Sequence, residues 1–361
     1  MQLILLNTTH LPSRTVWRMK VSTTIDGGTS PSPFVNAQAV EAWDTWFRWR
    51  DDGQLRDVTL EDTWERLASA LAGDASRRPG YKRRLIDAFE GWHLLLDERV
   101  SATAGTRAPQ WSAHDLHAVL NAASFVRASG SRHRYFDLAH FEEVAALSVH
   151  ALDDAAALAP DGSSRSTPGA SVGIVGVSDA LALLGFAYDS DAGRAQAAHI
   201  AQAMAQGCLS GSIVLARDRG ARARCDADWN ARAQRRGYRS ELIEAATKHG
   251  LRHGRLTAIR SQPRLALFAN GVADALDPLP SAAGANPDTD AACTDVAAQL
   301  RLRAAIQPWL DERIAFPLSI CNEPKASDLE TWNTLARQLD LAPLTWRSRS
   351  PAAPIQRSAD S

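Results

Sequence analysis

No run of apolar residues in this chain approaches the ~18 that a membrane helix needs. Residues 1–6 carry no basic region, and no small-residue cleavage site follows them. The first absence excludes a helical membrane span, and together they set the expectation of a cytoplasmic protein. Cysteine is scarce: Cys208, Cys225, Cys293 and Cys321 are widely scattered, with neither the pairing nor the density of a disulfide framework. Net charge is nearly absent as well, at -1 over 361 residues, so no global field draws the chain to nucleic acid or a membrane surface. Any basic site must be local. Lysine is confined to Lys20, Lys82, Lys248 and Lys325, an arginine bias that a GC-rich genome produces without selection for function. Walker-type and dinucleotide-type glycine loops are missing too.

What is present suits a large core, because 45% of the residues are hydrophobic. Residues 22–33 are rich in Ser, Thr, Gly and Pro, which reads as an arm covering residues 1–35. A helical region follows over 36–160. Val40, Trp43, Trp46 and Phe47 form one apolar stripe, and Leu60, Trp64, Leu67, Ala68 and Leu71 form a second. Thr59 and Asp62 are spaced for a capping box ahead of the second stripe. Further helices are expected over 79–97 and 136–157. Beyond a linker at 161–169, Ile174, Val177, Leu181 and Leu184 repeat at helical spacing until Gly185, and a longer helix starts at 189–191 and ends at Gly220. Strands are expected at 256–260, 265–268 and 314–320, each short and bounded by Pro or Gly. A second linker at 278–290 precedes helices over 293–313 and 327–340, and a Ser/Arg/Pro-rich tail fills 348–361. The tryptophans stand mostly at core spacing and read as packing.

Local chemistry is thin. Cys208 shares an apolar helix face with Met204 and Leu215, which reads as a buried structural thiol rather than a redox one. Cys225 lies among Arg222, Arg224 and two aspartates, a setting in which a thiol can gain reactivity, but with no second cysteine nearby it reads as unreactive. His249 and His253 have the i, i+4 spacing of two metal ligands on one helix face, but Gly250 is expected to end that helix and no third ligand is evident. His114 and His117 read as a short amphipathic stretch with a partly exposed helix face. Residues 217–264 hold twelve arginines against five acidic residues, which makes either a solvated helical face or an anion site for a nucleotide or an acidic protein surface.

Two linked motifs carry a resemblance. Residues 171–190, SVGIVGVSDALALLGFAYDS, are similar to a stretch of glycines and apolar residues followed by D-x-L and then L-G-x-x-Y-x-S. Residues 212–220, SIVLARDRG, follow at the matching distance as S-x-x-L-A-x-x-x-G. Both belong to ribonucleotide reductase large chains, and the whole order most resembles the adenosylcobalamin-dependent type. Residues 43–50 and 62–66 resemble the start of those enzymes, 96–99 leading to 104–106 the segment entering their barrel, 251–253 and 271–278 the edges of their substrate-phosphate loop region, and 307–311 and 345–347 their closing motifs. The resemblance implies an α/β fold, mainly helical, as a remnant of the family's ten-stranded α/β barrel, with 170–347 as the reductase C-terminal-like region.

The same resemblance exposes losses. About thirty residues, 106–136, stand where most of the family's barrel and its N-P-C-G-E radical loop belong, and none is cysteine. The family's redox cysteine aligns with Ser124, and a hydroxyl cannot form the disulfide that reduction requires. The phosphate-cradling A-P-T-G-T loop appears as Ile259, Arg260, Ser261, Gln262, Pro263 and Arg264, without the glycine that lets a backbone approach phosphate closely. The family's S-K-T-x-N becomes residues 315–319, AFPLS, without its lysine. The expectation is therefore a catalytically silent relative with no catalytic residue, no metal and no cofactor. Arg260, Ser261 and Gln262 are the remnant of the phosphate loop, and Ser124 is the remnant of the redox position. Such a protein would act by binding a nucleotide or a protein partner: an intact or complementary reductase chain, or itself. The alternative is one half of a split reductase, with adenosylcobalamin and the missing barrel supplied through another chain.

Overall fold

The computed structural model describes residues 33–73, 78–129, 133–160, 169–278, 295–320 and 322–348. The expected arm before residue 33, most of both linkers and the tail beyond 348 lie outside them. Three short helices open the described chain: α1 (Ala37–Trp46), α2 (Leu60–Ala72) and α3 (Tyr81–Glu90). A two-residue hairpin, β1 (Arg50–Asp51) with β2 (Gln54–Leu55), separates the first two. The capping box at the start of α2 forms as its spacing implies: Thr59 accepts from the Asp62 amide, and the Asp62 carboxylate accepts from the Thr59 amide at 2.7 Å.

The expected helix over 79–97 stops at Glu90, since Trp92 takes a left-handed φ of 56° and the chain turns into β3 (Leu94–Leu95). After α4 (Glu98–Thr103), β4 (Leu116–Asn121) runs through the core with every residue buried. A hairpin of β5 (Val126–Ser129) and β6 (His133–Phe136) follows, and then the twenty-residue α5 (Leu138–Ala157). The chain returns as β7 (Ala170–Val175), parallel to β4 and likewise buried throughout. Strands buried on both faces carry no alternating pattern, which is why two sequence expectations need correction. His117 is on β4 rather than a helix face, and the helical repeat read from Ile174 begins only at α6 (Val177–Leu184).

The long helix α7 (Asp191–Arg219) is capped by Ser190 and ends at Gly220, as expected. It packs against α5 so closely that a Cβ on Gly207 would lie 2.3 Å from the Glu142 carbonyl oxygen, and one on Gly211 2.7 Å from that of Ala146. Two glycines a turn apart thus let the helix backbones touch. Next come α8 (Ala227–Arg236), α9 (Ser240–His249) and α10 (Pro263–Phe268). The last corrects the strand expected at 265–268: Pro263 sits at the first helical turn, where its missing N–H costs nothing. Phe268 stacks on Phe47 with centroids 4.5 Å apart and meets Trp64 and Trp92, tying α10 to the N-terminal helices. Trp43 and Trp64 are buried, as the periodicity implied.

A smaller core closes the chain. It comprises α11 (Val296–Ile306), α12 (Ala326–Gln338) and the parallel pair β8 (Leu318–Ile320) with β9 (Trp346–Ser348). The molecule is mainly helical with small sheets, the largest being β3-β4-β7, and the described residues form no closed barrel. Thr257 extends the β7 edge by a single parallel bridge to Val172, all that appears of the strand expected at 256–260.

Candidate functional site

The turn from β7 into α6 meets the stretch that follows α10, and polar groups gather there. Gly176, at φ 69°, turns the chain from β7 into α6; its amide donates to the Ala273 carbonyl at 2.8 Å. A Cβ at Gly176 would lie 2.8 Å from Asn121 Oδ1, so this position needs both the left-handed backbone and the missing side chain. One turn into α6, Asp179 accepts from the Ala273 amide at 2.8 Å. Burial raises the pKa of its carboxyl group, against the lowering effect of the amides it accepts from. The 270–277 stretch is therefore clamped onto the β7–α6 turn.

Ser124 sits just past β4 in a 3-10 turn. Its hydroxyl donates to the Asn121 carbonyl at 2.7 Å, and His93 Nδ1 lies 2.8 Å from Ser124 Oγ. With its proton committed to the carbonyl, Ser124 Oγ is the acceptor of Nδ1–H, which leaves the lone pair of the imidazole on Nε2. That nitrogen meets an Arg127 guanidinium at 3.4 Å. Burial, with His140 and Arg127 close by, pushes His93 down to about 4, so the ring is neutral at pH 7. This is the reverse of an activated serine, whose hydroxyl would donate to the imidazole.

The segment expected to be a phosphate-loop remnant divides. Arg260 turns away to pair with Asp115 and with Glu312 at 3.0 Å. Ser261 and Gln262 instead close on Asp274: the Gln262 amide donates to Oδ1 at 2.6 Å, and the Ser261 hydroxyl donates to Oδ2. Arg347 reaches in from β9, 3.3 Å from Asp274 Oδ2, and pairs also with Asp277. Both aspartate side chains are almost buried, at 11% and 12% exposure. A backbone amide, a hydroxyl and a guanidinium make an anion-binding set. Here the anion is the chain's own carboxylate. Sequence reasoning named Ser124, Arg260, Ser261 and Gln262 but missed His93 and Asp274; Asp179 and Arg347 entered only as parts of motifs. The available signal for Asp274 was two aspartates in ADALDP within reach of a segment rich in donors.

The remaining candidates resolve as structure. Cys208 is fully buried in α7, and burial pushes its thiol far up. Burial, with Asp226 close by, also pushes Cys225 up to about 11, against the activation that neighbouring arginines would give. His249 ends α9, while His253 lies beyond Gly250, buried 3.1 Å from Asp153. His117 Nδ1 meets Ser171 Oγ at 2.8 Å across the sheet. No cluster of three metal-ligating side chains occurs among the described residues, and no described helix is long and apolar enough to cross a membrane.

A family model described as ribonucleotide reductase, barrel domain, matches residues 116–279. The matched stretch begins at β4 and takes in Ser124, β7, α7 and the 260–277 segment, so the candidate site lies almost wholly inside it. His93 and Arg347 enter from outside, as do Asp115 and Glu312, the partners of Arg260. No curated protein matches the chain.

Proposed function

We propose that this chain is a catalytically silent ribonucleotide reductase-like protein, carrying a remnant of the family barrel and acting by binding a protein partner or a nucleotide. The observation that carries the reading is the closure of Ser261, Gln262 and Arg347 on Asp274. A substrate phosphate directed to these donors would have to displace a nearly buried carboxylate from three partners, and would meet its charge. Ser124 supports the same reading, since its hydroxyl holds His93 in place and has no thiol chemistry to offer.

Adenosylcobalamin does not fit the described residues. Its radical chemistry needs a reachable thiol, and the two described cysteines are a buried one in α7 and one between α7 and α8, each with its pKa raised by burial. The split-reductase reading is favoured only by the three-stranded sheet, which falls short of a closed barrel among the described residues. It is the weaker of the two, because a split enzyme would retain its own share of the phosphate site.

Genetic complementation tests the choice. The gene is expressed in a cell depleted of its own reductase, alone and together with any reductase-like protein encoded beside it. A silent chain restores growth in neither case beyond what the neighbour achieves alone. Growth that requires this chain would establish the split enzyme.

A further inference from the structure

A second concave region lies between α7, α8 and the 307–311 turn. It is a cavity of about 640 Å³, within the usual range for small-molecule sites. Four arginines line it, Arg232, Arg235, Arg236 and Arg255, against one carboxylate, Asp311. That carboxylate is already spent: Oδ1 pairs with Arg236 at 2.8 Å, and Oδ2 accepts from the amides of Leu256 and Thr257 at 2.8 and 3.1 Å. Arg236 is equally engaged, donating also to the carbonyls of Pro308 and Leu310.

Arg232, Arg235 and Arg255 are different. Each is exposed at the cavity, and none makes an ion pair or side-chain hydrogen bond with a described residue. Arg232, Arg235 and Arg236 share the cavity side of α8 at i, i+3 and i+4, where like charges destabilise a helix. Three uncompensated guanidinium groups at one concavity are a ready seat for a multivalent anion. The aromatic side chains add a second requirement. Tyr238 packs edge-on against Trp309 with centroids 6.2 Å apart and lies beneath Arg236. Trp229, one turn before Arg232 and Ala233 on α8, lines the same cavity half-buried and has no ring or cation partner among the described residues.

We propose that this cavity binds a nucleoside polyphosphate, its phosphates held by Arg232, Arg235 and Arg255 and its base laid against Trp229. The inference gives the nucleotide side of the proposed function a location and rests on that side; catalytic silence is read by turnover and stands or falls separately.

Isothermal titration of the full chain tests it, with ATP, inorganic tripolyphosphate and adenosine as probes at fixed ionic strength. ATP is expected to bind more tightly than tripolyphosphate, and adenosine weakly. The double substitution R235Q/R255Q, at two exposed positions, is expected to weaken ATP by about tenfold or more, while Arg313→Gln, outside the cavity lining, changes nothing. Trp229→Leu is expected to weaken ATP and leave tripolyphosphate unaltered; Trp229→Phe, which keeps a ring, retains most of the ATP affinity. Absence of heat with ATP at millimolar concentration overturns the proposal. So does ATP binding that R235Q/R255Q leaves intact. Equal binding of ATP and tripolyphosphate, indifferent to Trp229, overturns the nucleoside assignment.

Discussion

Asp274 Oδ1 accepts the backbone amide of Gln262 at 2.6 Å, so a carboxylate of the chain occupies the position from which a loop amide would greet an external anion. This contact ties the 260–262 segment to the 270–277 stretch, which Gly176 and Asp179 in turn hold to the sheet. Replacing Asp274 by alanine strips an acceptor from the Gln262 amide and the Ser261 hydroxyl and one ion-pair partner from Arg347. The expected loss is about 2–3 kcal/mol of unfolding free energy, with asparagine costing less because it keeps an acceptor oxygen. Urea unfolding of the two variants measures this, and an Asp274→Ala protein as stable as the parent would show that the closure is incidental.

Ser124 offers a separate test. Ser124→Ala removes the acceptor of His93 Nδ1–H and should cost about 1 kcal/mol. Ser124→Cys places a thiol where the sequence resemblance expects the family's redox cysteine and should restore no reduction, since no interaction joins either described cysteine to Ser124. Formation of deoxynucleotide by the cysteine variant would mean that the machinery around it is intact.

The sheet supplies a packing test. A Cβ on Gly173 would lie 2.6 Å from the Ala258 carbonyl oxygen and 2.9 Å from His117 Nε2, and neither a backbone oxygen nor a buried ring has room to yield. Gly173→Ala is expected to destabilise the protein by about 1–3 kcal/mol, read by denaturant unfolding. A neutral substitution would contradict the close approach of the 256–258 segment to β7.

His117 also fixes a pH dependence. Burial pushes its imidazole down to about 4, with Arg260 acting in the same direction, whereas an unfolded histidine titrates near 6.5. Between those values the unfolded chain binds the extra proton, so stability is complete above about pH 6.5 and falls as the pH drops toward 4. The slope is at most roughly 1.4 kcal/mol per pH unit for each such histidine, and His93 contributes in the same sense. In an NMR titration of the imidazole protons, His117 should show no inflection above about pH 5. An inflection between 6 and 7 would place the ring in contact with water.

Helices were the more legible part of the fold. Their signals are local: the Thr59–Asp62 box, the glycine stop at Gly185 and the Ser190 cap each decide an end within one turn. The two central strands were not legible, because β4 and β7 are buried on both faces and their parallel pairing spans some fifty residues, with Leu116 beside Ala170. The site followed the same division. Ser124, Ser261 and Gln262 could be located by motif, but Asp274 and His93 acquire meaning only when the tertiary fold brings a carboxylate to an amide and an imidazole to a hydroxyl. The arginine-rich stretch stood out by composition. Which of its members stay uncompensated depends on Asp311, far along the chain, satisfying Arg236 alone.

Turnover is the most direct test of catalytic silence. The purified chain, alone and mixed with any reductase-like protein encoded beside it, is supplied with radiolabelled ribonucleoside diphosphates and triphosphates, adenosylcobalamin and a dithiol reductant, and deoxynucleotide is quantified. A silent chain yields no product alone and adds none to what its neighbour makes. Deoxynucleotide whose formation requires this chain, and which is lost on substitution of Ser261 or Arg347, would contradict that reading.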